Sequence, residues 1–350
     1  SRLFYGPGFT YSSEIRSFNS TSQAAGADIE YRFTKHLSMQ LRDAFSLTRN
    51  PYDNWAASSE LPNLGVLNRP NASAFASNTR NLTEQFQGEL VCQLARHTQV
   101  GVGGTFSQLD YRTLAEGITK STNSIESRIW SGNAFYGHQF SPHYSWAIQY
   151  TASNLSSQGT QGQFFTLSHR VLGFFTISFS TKVQLSVFGG PQQSAFDDTP
   201  IGSPFGVVHS SKMSASGGST FTWEGEHSAL SASFVQQVTD SGLNGGGALL
   251  ARTANVQIHR RLASTLTFNV FGTYVGNNQL DPFSSVFLTD SASVGLGFTK
   301  VLTPHLTLSM SALRQQFMQT TGVIANGFPQ RSHELGMISL SYSFSRPIGR

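Results

Sequence analysis

The sequence predicts an all-β chain that crosses a membrane as an antiparallel up-and-down barrel of about sixteen strands, within a range of roughly fourteen to eighteen. Three observations predict this fold. The chain is poor in charge without being rich in apolar residues, apolar and polar residues alternate along long segments, and short connections alternate with longer ones. The whole chain, residues 1–350, is expected to form one barrel domain, and its abrupt start at Ser1 leaves room for a region before it.

Composition excludes several other classes. Only 12% of the 350 residues are charged, whereas soluble domains carry roughly 25%. An aromatic content of 12% with a net charge of +4 disfavours intrinsic disorder. No apolar run approaches the roughly 20 residues that a membrane-spanning helix needs. The single cysteine, Cys92, excludes an intramolecular disulfide framework and a cysteine-rich metal site.

Alternation with period two indicates strands with two chemically different faces. In residues 336–345, Ile338, Leu340, Tyr342 and Phe344 share one face, and the other face is mainly serine. The same pattern recurs at residues 144–151, 175–179, 265–270 and 306–311. The polar faces carry hydroxyl and amide groups rather than the charges typical of soluble sheets. Strands of roughly ten or more residues with such faces are typical of transmembrane barrels.

The connections predict the order and direction of the strands. Tight turns are expected at residues 35–36, 96–98, 141–143, 180–181, 224–227, 260–263 and 302–304. Longer loops are expected at residues 18–24, 50–80, 114–122, 158–162, 190–208, 241–247, 276–285 and 320–330. With a first strand over residues 4–18 and a last over 332–344, the count is even, so both chain ends return to one side.

These features resemble those of bacterial outer-membrane β-barrels, and the strand count resembles that of the sixteen-stranded porins. The ending at Leu340, Tyr342 and Phe344 is similar to the aromatic-terminated last strand that the outer-membrane assembly machinery reads, although residues 345–350 follow here. The resemblance implies an outer-membrane location, periplasmic turns and chain ends, extracellular loops and a water-filled lumen. Outer-membrane lipid, lipopolysaccharide and the assembly machinery are the implied partners. A second copy or another envelope protein stays open as a partner, and no nucleic acid is expected.

Charged residues on the polar face are the candidate pore-lining and selectivity residues. Alternation places eight of them there: Glu14, Arg16, Asp28, Glu30, Arg32, Arg42, Glu89 and Arg170. Charges of both signs in a lumen would create a transverse field at a constriction selective for small polar or charged solutes. Alternatively, they pair with one another and stiffen the wall. Both readings stay open at this point.

Two charged residues contradict the simple pattern. Asp43 shares the face of Leu41 and Phe45, and Arg252 shares the face of Val256. Either residue would then point toward lipid, where charge is unfavourable. A bulge that re-aims Asp43, or a position near the rim, would remove the conflict, and Arg252 could extend toward the headgroups.

The predicted function is passive diffusion of small hydrophilic solutes through a porin-like channel. The alternative is an anchoring barrel whose loops at residues 50–80 and 190–208, or a region before Ser1, bind a partner. A soluble secreted β protein is a third class, and it would fold without detergent. Catalysis is not expected, because the nucleophile-elbow, zinc-protease and phosphate-loop motifs are absent from the sequence. No cofactor or metal is predicted.

Overall fold

The computed structural model describes residues 2–11, 20–48, 79–113, 125–159, 162–200, 208–240, 248–279, 288–321 and 332–344. Their regular structure consists of strands: β1 Arg2–Tyr11, β2 Ser20–Arg32, β3 Leu37–Thr48, β4 Thr79–Ala95, β5 Thr98–Thr113, β6 Ile125–Ser141, β7 Tyr144–Gly159, β8 Gly162–Ser180, β9 Val183–Pro200, β10 Val208–Glu224, β11 Ser228–Asp240, β12 Ala248–Ala263, β13 Leu266–Gln279, β14 Leu288–Thr303, β15 Leu306–Thr321 and β16 Ser332–Phe344. No helix within these ranges is long and apolar enough to span a membrane.

Each strand pairs antiparallel with the next one in the chain. Strand β1 also pairs with β16, with Tyr5 opposite Tyr342, which closes the sheet. Tight connections at residues 33–36, 96–97, 142–143, 181–182, 225–227, 264–265 and 304–305 join the strands at one end. The prediction of an all-β, antiparallel, up-and-down architecture is confirmed.

Several predicted boundaries are wrong. Residues 190–200, predicted as loop, belong to β9, and residues 260–263, predicted as a turn, belong to β12. Glycine and proline are depleted in strands, so Gly190 and Pro191 resemble a loop in sequence. Residues on both sides of them nevertheless pair with β8 and β10. Farther along β9, the side chain of Asp197 contacts β10, with Asp197 Oδ1 2.6 Å from His209 Nδ1. Residues 158–159 and 162, predicted as part of a loop, belong to β7 and β8.

The two faces of the sheet differ in chemistry and in exposure. Apolar side chains such as Phe175, Val294 and Phe298 are exposed on one face, with Val294 61% exposed. Small polar side chains on the other face are buried, and Ser194 is only 1% exposed. Closure crowds side chains on the concave surface and spreads them on the convex one. The polar face is therefore the inner face and the apolar face the outer one.

The inner face also carries phenylalanine rings that lie against glycines of a neighbouring strand. A Cβ added at Gly101 would overlap the Phe135 ring, and one at Gly295 would overlap the Phe271 ring. These glycines face inward, opposite Phe135 and Phe271 in the β5–β6 and β13–β14 ladders. The rings cover backbone that the glycines would otherwise leave bare, so the inner wall is polar but not uniformly so.

The structure assigns positions to the two exceptional charges. Asp43 is exposed on the outer face, between Ala27 of β2 and Phe86 of β4. The ladders on both sides of β3 run without a register shift, so no bulge turns Asp43 inward. Among the described residues it has no hydrogen-bond or ion-pair partner. Arg252 also faces outward, and its Nε donates to Gln236 Oε1 at 2.9 Å.

Candidate functional site

Charged side chains cluster on the inner face of β2, β3 and β4. The structure places Asp28, Glu30, Arg32, Arg42 and Glu89 together there, in rows that approach the turn at residues 33–36. We call these five residues the charged cluster. Two other predicted site residues, Glu14 and Arg16, lie outside the described residues.

The centre of the charged cluster is an ion pair between adjacent strands. Asp28 and Arg42 are directly opposite in the β2–β3 ladder, and Arg42 Nε lies 3.3 Å from Asp28 Oδ2. With its amide oxygen turned toward Arg42, Gln40 accepts hydrogen bonds from Nη2 at 2.6 Å and from Nε at 3.0 Å. Arg42 is therefore held between two partners, and its guanidinium is fixed against the wall.

The remaining members of the cluster are more open to solvent. Arg32 Nη2 lies 3.1 Å from Glu30 Oε1, and their side chains are 77% and 55% exposed. Glu89 on β4 is opposite Gln40 of β3, two residues from Arg42 on the same face. Three carboxylates and two guanidiniums thus share this part of the inner wall. Exposed ion pairs constrain side chains only weakly, so a selective field in the lumen and a stiffened wall both stay predictions for these residues.

Arg170 lies apart from the charged cluster. It is on the inner face in the middle of β8, and strands β5 to β7 separate it from β4. Its register neighbours are Thr151 on β7 and Gln192 on β9. The structure therefore does not bring all predicted site residues together but divides them between two parts of the wall.

Sequence reasoning missed Lys212 and Gln192. Both face inward, since Lys212 is opposite Ser194 and Gln192 is opposite Arg170. Gln192 fell in the predicted loop over residues 190–208. In the structure, Gln192, Ser194 and Phe196 alternate with more exposed neighbours, but the residue types of this segment do not alternate, so the sequence carried no clear strand signal here. In the part of the chain that the structure describes, no three His, Cys, Asp or Glu side chains converge as metal ligands.

The proposed assembly residues lie in the last strand. Strand β16 ends at Phe344, and Tyr342 is opposite Leu306 of β15 and Tyr5 of β1. Leu340 is 45% exposed on the outer face. The recognition of Leu340, Tyr342 and Phe344 by an assembly machinery stays a prediction.

Comparison with known proteins gives a similarity of fold. No protein-family model matches the chain, and no curated protein sequence matches it. Among solved structures, CdiB from Acinetobacter baumannii superposes with a TM-score of 0.56 at 10% identity. The match covers 98% of this chain and 60% of CdiB, so the chain spans less than two thirds of that structure.

Two siderophore receptors also match across 98% of this chain and 80% of their own. They are BauA, the ferric preacinetobactin receptor from Acinetobacter baumannii, with a TM-score of 0.46 at 10% identity, and a mutant of the ferric enterobactin receptor PfeA from Pseudomonas aeruginosa, with 0.44 at 7%. Three observations indicate the same fold: the closed antiparallel sheet, its apolar outer face and the superposition on CdiB. In fold, the chain is a β-barrel of the kind found in the bacterial outer membrane.

Proposed function

We propose that the chain is an outer-membrane channel through which small hydrophilic solutes diffuse passively. One observation carries the proposal: the same strands present exposed apolar side chains outward and hydroxyl, amide and charged side chains inward. Lipid can solvate the outer face, and a barrel of sixteen strands leaves an aqueous interior. Among the described residues, and apart from groups at strand ends, charge on the inner wall lies in the charged cluster and in the region of Arg170 and Lys212.

The proposal includes an orientation and a set of partners. The tight turns and both chain ends face the periplasm, because outer-membrane barrels have short periplasmic and longer extracellular connections. Outer-membrane lipid and lipopolysaccharide surround the apolar face, and the assembly machinery inserts the barrel through β16. Contact with another copy or another envelope protein would use the outer face or the loops.

Conductance in planar bilayers tests the channel. Refolded protein added to one side of the bilayer is expected to produce stepwise increases in potassium chloride current. The matched control is the same protein kept unfolded in urea and diluted identically. A folded and inserted barrel that passes no ion current would contradict the channel and favour the anchoring function. Removal of residues 50–77, which lie outside the described residues, would then be expected to abolish partner binding.

Neutralising one member of the charged cluster should change ion selectivity. Arg42→Gln leaves Asp28 and Glu89 without their neighbouring positive charge, so cation permeability relative to anion permeability is expected to rise about twofold. The reversal potential across a potassium chloride gradient measures this ratio. Glu84→Gln is the control, because Glu84 lies on the outer face of β4, opposite Phe45. An unchanged reversal potential together with reduced stability would show that the pairs only stiffen the wall.

Removing the charge of Asp43 should stabilise the barrel in lipid. Asp43 is exposed on the outer face without a partner among the described residues. Acidic groups at this face cost less than the ~2–4 kcal/mol of basic ones, so Asp43→Asn is expected to gain about 1 kcal/mol. Urea unfolding in lipid vesicles measures the gain, and Asp43→Leu should gain more. A lower unfolding free energy in Asp43→Asn would instead indicate that the carboxylate has a stabilising partner.

A further inference from the structure

Four polar side chains stand side by side on the inner face of adjacent strands. Thr151 of β7 is opposite Arg170 of β8, Arg170 is opposite Gln192 of β9, and Gln192 is opposite Ser214 of β10. Because neighbouring strands lie about 4.8 Å apart, these residues span roughly 14 Å of the inner wall. We call Thr151, Arg170, Gln192 and Ser214 the polar row.

Most members of the polar row have unused hydrogen-bonding capacity. Thr151 Oγ1, Gln192 Oε1 and Ser214 Oγ are buried atoms that find no hydrogen-bond partner within the described part of the chain. Gln192 is only 4% exposed and Thr151 9%. Buried polar groups are normally paired, since an unpaired one loses its hydration without compensation. Three such atoms in a single row indicate a place where a polar ligand completes the hydrogen bonds.

The positive charges at the polar row also have no counter-ion among the described residues. Arg170 is partly buried, and within the described ranges it makes no hydrogen bond or ion pair. Lys212 precedes Ser214 by two residues on the same face of β10, opposite Ser194, and no described carboxylate pairs with it. Arg42 in the charged cluster contrasts with both, because it contacts Asp28. A partly buried guanidinium without an anion is unfavourable, so this part of the wall favours a negatively charged ligand.

The backbone beside Arg170 is held in an unusual way. The β8–β9 ladder pairs Arg170 with Gln192 and Gly173 with Gly189 but skips the two positions between them. Proline has no N–H, so Pro191 cannot donate a ladder hydrogen bond there. A Cβ at Gly190 would overlap the carbonyl oxygen of Val171. The register is the same on both sides of the gap, and the close approach of the two backbones at Gly190 fixes the strand beside Arg170.

We propose that the polar row binds an oxyanion, the carboxylate or phosphate group of a solute in transit. This inference rests on the proposed channel function and names the class of solute. The Arg170 guanidinium and the hydroxyls of Thr151 and Ser214 donate to the anionic oxygens, and Lys212 adds positive charge. Gln192 Oε1 needs a donor, which a hydroxyl of the solute supplies. Hydroxy acids and sugar phosphates therefore fit the row better than simple anions.

Anion block of the channel tests the site. Gluconate and inorganic phosphate, each added to a channel carrying potassium chloride current, are expected to reduce that current in a saturable way. Arg170→Gln should raise the half-blocking concentration about tenfold or more, and Thr151→Val and Ser214→Ala roughly threefold each. Ser233→Ala, an inner-face hydroxyl of β11 outside the row, should leave it unchanged. Comparing gluconate with phosphate identifies the preferred acid group.

Equilibrium binding separates this inference from the channel itself. Isothermal titration of gluconate and phosphate into the detergent-solubilised barrel is expected to show saturable binding in the wild type and much weaker binding in Arg170→Gln. Saturable binding by a barrel that passes no current would contradict the channel function but support the oxyanion site. If the barrel passes current and the half-blocking concentrations of wild type and Arg170→Gln are equal, the oxyanion site is overturned and the channel function stands. If Arg170→Gln does not fold, unchanged block in both Thr151→Val and Ser214→Ala overturns the site.

Discussion

Leu296→Arg is expected to destabilise the membrane-inserted barrel by ~2–4 kcal/mol, because a guanidinium near the bilayer midplane must leave water or deform the lipid. Leu296 is on the outer face of β14, 48% exposed, between Val270 of β13 and Ala312 of β15. Neither of these register partners carries a charge that could pair with an arginine. Urea unfolding in lipid vesicles, followed by the gel shift between folded and unfolded barrel, measures the loss.

The matched control for this substitution is Ser293→Arg. Ser293 lies on the inner face of the same strand, opposite Thr273 of β13. An arginine there keeps its contact with lumen water, so the expected loss is under ~1 kcal/mol. Equal losses in Leu296→Arg and Ser293→Arg would contradict the assignment of the two faces.

Gly190→Ala is expected to be the most damaging small substitution. Its new Cβ would overlap the carbonyl oxygen of Val171, a backbone atom that cannot rotate away. Strands β8 and β9 would have to separate, at a cost of about 3 kcal/mol, at the upper end of what overpacking causes. Refolding yield into detergent and the urea midpoint measure this cost.

Gly132→Ala provides the comparison for Gly190→Ala. Gly132 lies in β6, and a Cβ added there would meet no atom within 4 Å. Alanine also restricts the unfolded chain more than glycine does, so Gly132→Ala should be neutral or stabilising by up to ~1 kcal/mol. If the two variants unfold at the same urea concentration, the close approach of β8 and β9 at Gly190 is wrong.

Local pattern was enough to predict the regular parts of the barrel. The last strand has the predicted bounds, residues 332–344, because its alternation is uninterrupted from Ile338 to Leu340 and beyond. The turn at residues 96–97 was placed within one residue for the same reason. Alternation depends only on the period of a strand, which the sequence contains directly.

Local pattern failed where pairing with neighbours overrides propensity. The dipeptide of Gly190 and Pro191 disfavours a strand, yet ladder bonds on either side hold β9 in the sheet up to Pro200. This error hid Gln192, which lies at the centre of the polar row. Conversely, the inward face of Arg170 followed from alternation alone.

The pairing of charges could not be derived from the sequence, because it depends on register between strands. Asp28 meets Arg42 because the turn at residues 33–36 sets the β2–β3 register. Arg170 and Lys212 lie on the two strands that flank β9, where their register partners are Gln192 and Ser194. Likewise, Arg252 donates to Gln236 because the β11–β12 register places the two residues opposite one another.

The central claim is that β14 has one face in lipid and the other in lumen water, and cysteine labelling tests it most directly. In a Cys92→Ser background, single cysteines replace Ser293 and Thr299 on the inner face and Val294 and Leu296 on the outer face. The inner pair is expected to react with a charged, water-soluble maleimide, and the outer pair only with a lipophilic one. Equal reaction of all four positions with the charged reagent in intact membranes would contradict the barrel as described.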